Sequence, residues 1–356
     1  MAAMQIGIAG AGLLGRLLAW CLSNAGHRVT VFDPAADAQT LGAAGFTAAG
    51  MLSPLAELEC ADAKVATLGW RSLDLWAHVA STLPRAVGFR REGSLLLAHA
   101  SDGGTAQRLL DVIAAKAAPG MAPPQVLTAL HLRELEPEVQ GPAHAWLLRG
   151  EGQIHTVQAM RALFESASTQ NLHWHGSHAV QQIAPGRIDG HRFDHVFDVR
   201  GLGGRPDLPL RGVRGEIVWL HAPGLQLCRP LRLLHPRNRV YLVPRADDIV
   251  VVGASEIESE DRSPISVRTL VNLLSAAHSV VPELAEARVV HTETNLRPAL
   301  PDNLPHLESR PGLTRINGLF RHGWLIAPAL VEDALQQAGI DSALAACESG
   351  EEMVMR

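Results

Sequence analysis

The chain has 356 residues, 47% of them hydrophobic and 19% charged, which suffices for a full core in two domains or in one domain with an insertion. A formal charge of −5 gives no electrostatic basis for binding nucleic acid or an anionic membrane, and no apolar run reaches the length of a membrane span. Cys21, Cys60, Cys228 and Cys347 form no CxxC pair, so they fit thiols in a reducing, cytoplasmic compartment better than a disulfide framework or a zinc site.

The apolar start lacks a positively charged leader and is interrupted by Arg16 and glycines, so it reads as structure and not as a signal peptide. Residues 5–9 form a short buried strand, 13–25 a helix closed by Gly26, and 28–33 a second strand, a βαβ opening. Residues 42–54, rich in glycine and alanine, read as a loop against which something packs closely. A helix over 63–82 shows Leu68, Leu75, Trp76 and Val79 on one face. A strand at 93–98 and a helix over 104–117 follow, then a Pro- and Gly-rich connection over 118–125.

Thr156 is placed to cap a helix over 157–168. Strands follow near 178–183 and 187–193, joined at Pro185-Gly186, and another runs into "HVFDVRGLGG" at 195–204. From 212 to 254 the pattern is mostly β; Ser266 starts a helix to about 279, and strands recur near 287–293 and 314–318. Pro328 opens the last helix, and residues 347–356 read as a frayed tail.

Three features carry chemistry. Gly10-Ala11-Gly12-Leu13-Leu14-Gly15 is GxGxxG directly after a strand and at the start of a helix. Its glycines permit the tight turn, close approach of backbone to a pyrophosphate, and close helix–strand packing, while the free N–H groups of the helix start face the anion. Asp33 ends the next strand, 18 residues past Gly15, where a carboxylate accepts from ribose hydroxyls. The motif binds a dinucleotide without separating FAD from NAD. The second feature is Tyr241, the only tyrosine, against seven phenylalanines. A ring that merely filled a core could be a phenylalanine; one that donates from a fixed place could not. The third, "HWHGSH" with His173, His175 and His178, invites a metal reading, but no carboxylate or thiolate stands in register, so no metal is expected and the histidines read as solvated. The acidic turn "EIESED" at 256–261 also reads as solvated.

Beyond the glycine motif, "TAAGMLSPLAE" (47–57), "GEGQIHT" (150–156), "VRGE" (213–216), "YLVPR" (241–245), "NLRP" (295–298) and "FRHGWLIAPA" (320–329) occur in this order. With that set, residues 6 to 336 resemble the D-amino-acid-oxidase-like family of FAD enzymes, and within it the glycine oxidases of the thiamine-biosynthesis type. The resemblance implies an α/β (α+β overall) fold: a discontinuous Rossmann-like FAD-binding domain over 1–85, 145–212 and 296–356, and an inserted antiparallel β-rich substrate domain over 86–144 and 213–295. It implies non-covalent FAD, held by Gly10, Gly12, Leu13, Leu14, Gly15, Asp33, Thr47, Ala48, Ala49, Gly50, Met51, Val180, Gly201, Arg297, Arg321, His322, Gly323, Trp324 and Leu325.

It further implies that Tyr241 on the substrate sheet and Arg297 in a later loop hold the substrate carboxylate, Arg321 edges the pocket, and Met51 lies beside the substrate. A guanidinium offers two parallel donors to a carboxylate and the phenol adds a third; the plainer readings are a buried ring for Tyr241, a surface ion pair for Arg297 and a core methionine for Met51. The implied reaction takes glycine or another small amino acid or amine to an imine, by hydride transfer from the α-carbon to flavin N5. Oxygen then yields hydrogen peroxide, and the imine is hydrolysed to glyoxylate and ammonia or used in thiazole synthesis. A dehydrogenase with a quinone acceptor, a non-catalytic flavoprotein partner, and a homo-oligomer stay open. Arg200, where relatives often carry alanine, and Arg239, where histidine is common, depart from the pattern.

Overall fold

The computed structural model describes residues 3–118, 121–234 and 239–344; the tail over 347–356 and Cys347 lie outside the described residues. A six-stranded sheet runs in the order His306–Arg310, Leu313–Asn317, His195–Asp198, Gln5–Ala9, Arg28–Phe32, Leu172–His175. Its strands are parallel except for the His306–Arg310 edge. The helix Leu13–Asn24 is buried along almost its whole length, and the helices Thr156–Ser168 and Gly323–Ala338 pack beside it. That burial explains its near-continuous apolar sequence.

The second layer is an eight-stranded sheet in the order Arg288–Ala299, Arg211–His221, Ile249–Gly253, Arg239–Pro244, Leu231–Leu234, Ser94–Ala98, His144–Leu148, Gln125–Leu127. All its pairings are antiparallel except Leu231–Leu234 with Ser94–Ala98. One face buries Val218, Leu220, Val240, Leu242, Val250 and Val252 with Leu273 and Ala277 of the helix Val267–His278. The other presents Ile217, Val243 and Val251, with Tyr241 beside them, to Ala49 and Met51. Period-two alternation thus divides each strand between a helix-covered face and a face turned toward the first layer.

Several elements differ from the sequence reading. The last helix begins at Gly323, and Pro328 sits inside it. Proline cannot donate to the carbonyl four residues back, and here the Trp76 indole N–H donates to the Trp324 carbonyl instead, at 2.8 Å. Thr156 is the first residue of its helix and not the cap; its hydroxyl donates to the Ala48 carbonyl at 2.9 Å. The loop over 42–54 contains a short helix, Ala44–Thr47, and a strand, Met51–Leu52, that pairs with Gly152–Gln153. No strand spans 178–182; the hairpin reduces to the two-residue strands Ile183–Ala184, Arg187–Ile188 and His191–Arg192.

The strand expected near 287–293 runs from Arg288 to Ala299, so Arg297 stands on a strand and not in a loop. It also carries sheet pairing across residue 296, as His144–Leu148 does across residue 145 and Arg211–His221 across residue 213, three of the four expected domain limits. Among the described residues no helix is long and apolar enough to cross a membrane.

Candidate active site

A cavity of about 1320 Å³ separates the two sheets, larger than a site for one small molecule requires. Its lining includes Gly10, Gly12, Leu13, Leu14 and Asp33 from the six-stranded layer and Tyr241 and Arg297 from the eight-stranded sheet. Backbone must pass close by at the glycine turn. A Cβ on Gly10 would lie 2.7 Å from the Val199 carbonyl, and Gly10 has φ +99°, a conformation that favours glycine. Gly12 is the N-cap of the first helix and no side chain caps it, so the first-turn N–H groups are left for an anion. Asp33 accepts from Ala11 N–H at 2.6 Å and Ala35 N–H at 2.9 Å, which fixes its carboxylate at the lip of the cavity.

Of the remaining residues expected to bind cofactor, Thr47, Ala48, Ala49, Gly50, Met51, Val180, Gly201, Arg297, Arg321, Gly323 and Trp324 line the cavity. Gly15, His322 and Leu325 do not. A Cβ on Gly15 would be 1.9 Å from the Gly10 carbonyl, so this glycine lets the helix seat against the strand. Leu325 packs on Gly69 of the helix Ala63–Thr82. His322 is buried with Nδ1 3.1 Å from a Glu57 oxygen.

The substrate end follows from sheet register. Tyr241 pairs with Gly253, Gly253 with Ile217, and Arg297 with Val213 two residues along the same strand as Gly215. Cross-strand partners share a face, so Tyr241 and Arg297 point the same way. Both lean over glycine: Cβ atoms on Gly253 and Gly215 would meet the Tyr241 hydroxyl at 2.7 Å and the Arg297 guanidinium at 2.5 Å. Burial pushes the Tyr241 phenol up, opposed by the nearby Arg297 charge, and burial lowers Arg297. One Arg297 nitrogen, Nη1, donates to the Ser255 carbonyl at 3.0 Å and to the Arg214 carbonyl at 3.4 Å. Among the described residues no carboxylate pairs with it.

Arg321 is different. Its Nε donates to Glu57 at 3.0 Å, and Nη1 lies 3.3 Å from Glu256. Arg232 joins Glu57 and Glu59, and Arg239 joins Glu59 at 3.1 Å. Glu57 was not among the residues singled out by sequence. Burial would raise its carboxyl, but Arg321, His322 and Arg232 together hold it well below the usual range. The acidic turn is likewise engaged and not merely solvated: Glu256, Glu258, Glu260 and Asp261 meet Arg321, Arg211, Arg205 and Arg214. In the histidine run, His175 stacks on Phe32 at 4.8 Å and His178 contacts Asp189 at 2.8 Å.

The departing Arg200 forks onto Asp198 at 2.8 and 2.9 Å and reaches Asp207. In "VRGE", Val213 and Gly215 face Arg297, while buried Arg214 and Glu216 serve the helix-covered side, where they pair at 2.6 Å and Glu216 accepts from Ser266 N–H. Glu151 of "GEGQIHT" accepts from Leu55 N–H at 2.8 Å, Ala56 N–H at 3.0 Å and the Ser94 hydroxyl at 2.5 Å, bracing the segment that carries Glu57.

A glycine-lined phosphate turn, an acid on the second strand, and a long cavity roofed by an antiparallel sheet define a flavin-dependent oxidoreductase. The match to the FAD dependent oxidoreductase family spans residues 5–334, and the chain belongs to that family. Among its relatives, the thiamine biosynthesis oxidoreductase ThiO assigned in Rhizobium etli is 37% identical over 338 residues, covering 94% of this chain and 96% of that protein. Glycine oxidase of Geobacillus kaustophilus is 26% identical over 94% of this chain and 93% of its own length. In fold, a crystal structure of glycine oxidase from the same organism superposes with a TM-score of 0.82 at 24% identity, over 96% of both chains. Iminodiacetate oxidase from Chelativorans superposes with a TM-score of 0.79 at 23% identity, over 95% of this chain and 96% of its own.

Proposed function

We propose that this enzyme is an oxidase of glycine or another small amino acid or amine. The observation that carries the reading is the placement of Tyr241 and Arg297 on one sheet face over the cavity, with the guanidinium unclaimed by any carboxylate among the described residues. A buried cation without an anion is costly, and a substrate carboxylate would supply the missing partner. Arg321, Arg232 and Arg239 already hold glutamates, which leaves Arg297 for the clamp and gives Arg321 the edge of the pocket. Met51, beside Tyr241 in the same apolar cluster, then limits side-chain room. The names of relatives, a thiamine biosynthesis oxidoreductase and a glycine oxidase, support this substrate class.

FAD bound along the cavity supplies the two-electron acceptor. The chain's own contribution is orientation: two donors from Arg297 and one from Tyr241 fix the carboxylate and so the α-carbon, leaving one C–H bond aimed away from the sheet. With the substrate amine neutral, its lone pair stabilises the developing iminium and no side-chain base is needed. Anaerobic mixing with a panel of glycine, sarcosine and small D-amino acids tests the reading. Bleaching of the flavin followed by stoichiometric peroxide on admitting oxygen is expected. Dye reduction without oxygen consumption would make it a dehydrogenase, and an unbleached flavin across the panel would make it a non-catalytic partner.

A further inference from the structure

Behind the cavity wall lies a charge that the substrate clamp does not use. Arg245 ends "YLVPR" on the same strand face as Tyr241, is 9% exposed, and donates through Nη2 to the Ala49 carbonyl. Its Nε is buried without a partner. The ionisable groups that act on it are Arg90, another cation, and Tyr241, a phenol; His155 stands near and is held neutral, lowered to about 4 by burial and by Arg245 itself. No carboxylate among the described residues pairs with Arg245. Buried guanidinium groups ordinarily meet an anion; on the same sheet Arg214 and Arg232 do so, while Arg297 is the one assigned to the substrate carboxylate.

The contact made by Arg245 also sets a peptide. The Ala49 carbonyl is turned back to Arg245 and the Gly50 carbonyl back to Ile154 N–H at 2.9 Å. In a trans peptide the N–H opposes the C=O, so the Gly50 N–H is turned to the cavity side, where it has no acceptor among the described residues. Gly50 is required there: its φ is +72°, and a Cβ would lie 2.1 Å from the Ile154 carbonyl. We infer that Arg245 is a positioning residue for the flavin, which aims the Ala49–Gly50 peptide at the cofactor and supplies a fixed positive charge that favours the reduced, more negative cofactor over the oxidised one. The inference rests on FAD occupying the cavity that Ala49, Gly50 and Met51 line, which follows from family membership and not from the choice of substrate.

The test uses holoenzyme carrying Arg245→Gln, which keeps a donor for Ala49 but removes the charge, and Arg245→Lys, which keeps the charge. Affinity of apoprotein for oxidised FAD, the midpoint potential of the bound flavin, and the dissociation constant for sulfite are measured for each. In Arg245→Gln, reduced flavin should lose about tenfold in affinity relative to oxidised flavin, a potential lower by about 30 mV for a two-electron couple. Sulfite should bind about tenfold more weakly, and Arg245→Lys should recover most of both losses. In steady state the loss should fall on kcat, with KM for the amine unchanged. A potential and a sulfite affinity within twofold of wild type in flavin-loaded Arg245→Gln overturn the inference. Should that variant fail to fold, wild-type holoenzyme that forms no sulfite adduct at millimolar sulfite overturns it independently. Absence of turnover with every amine would sink the proposed function and leave these readouts intact.

Discussion

At the scale of single residues, the clamp and its neighbour Glu57 make opposite predictions. Each clamp donor gives a charge-assisted hydrogen bond worth about 1.5–3 kcal/mol, so Tyr241→Phe should lower kcat/KM for glycine roughly tenfold to hundredfold with little change in urea midpoint. Arg297→Lys should lose at least as much, because an ammonium cannot form the two-pronged contact. Glu57→Gln should instead destabilise. It leaves Arg321, Arg232 and His322 facing one another without their carboxylate, a change that costs about 3–5 kcal/mol when one partner of a buried ion cluster is removed. Because the folded carboxyl of Glu57 lies below its ordinary value, the stabilisation is present above the unfolded pKa and lost as pH falls through the folded one. Urea unfolding of wild type and variant should therefore differ most at neutral pH, and the gap should close only as pH falls from the ordinary carboxyl range through the depressed folded value of Glu57. Tyr241 was legible because it is unique. Glu57 was not, since Arg321 is 264 residues away in sequence and nothing local announces the pairing.

At the scale of elements, the readable features were those with a local physical cause. Asp62 and Ser266 accept from Lys64 N–H and Thr269 N–H, and the helices Ala63–Thr82 and Val267–His278 begin where those caps stand. The glycine motif fixed the first strand, turn and helix together. Short strands such as Gln125–Leu127 and His144–Leu148 were missed because their edge of the sheet is assembled by partners distant in the chain. The last helix was misread for a definable reason: proline usually marks a helix start, but here Trp76 from another helix satisfies the carbonyl that Pro328 cannot. Trp76→Phe keeps a ring in the core and leaves the Trp324 carbonyl buried without that donor. It should cost about 1–3 kcal/mol in urea unfolding. Because Trp324 lines the cavity, weaker FAD binding by the apoprotein should accompany the loss.

At the scale of the whole molecule, Glu151 joins the two layers: it takes Ser94 from the eight-stranded sheet and the Leu55 and Ala56 amides from the segment that borders the cavity. Burial outweighs these hydrogen bonds and raises its carboxyl from 4.5 to about 7. Between those two values the native state holds a proton that the unfolded chain has released, so stability falls as pH rises across the interval and levels off above it. His155 acts in the opposite sense: lowered from 6.5 to about 4, it makes stability rise with pH over that range. The two slopes oppose each other from about pH 4.5 to 6.5, which flattens the profile of the wild type and conceals both groups. Glu151→Gln removes one of them. The variant should match wild type near pH 4, gain on it as pH rises, and hold an advantage on the order of 3 kcal/mol above pH 7, since each pKa unit corresponds to about 1.4 kcal/mol. Unfolding free energies measured from pH 4 to 9 decide the matter. A variant that grows less stable relative to wild type as pH rises would mean that Glu151 is ionised in the fold, with its two amides and the Ser94 hydroxyl outweighing the cost of burial.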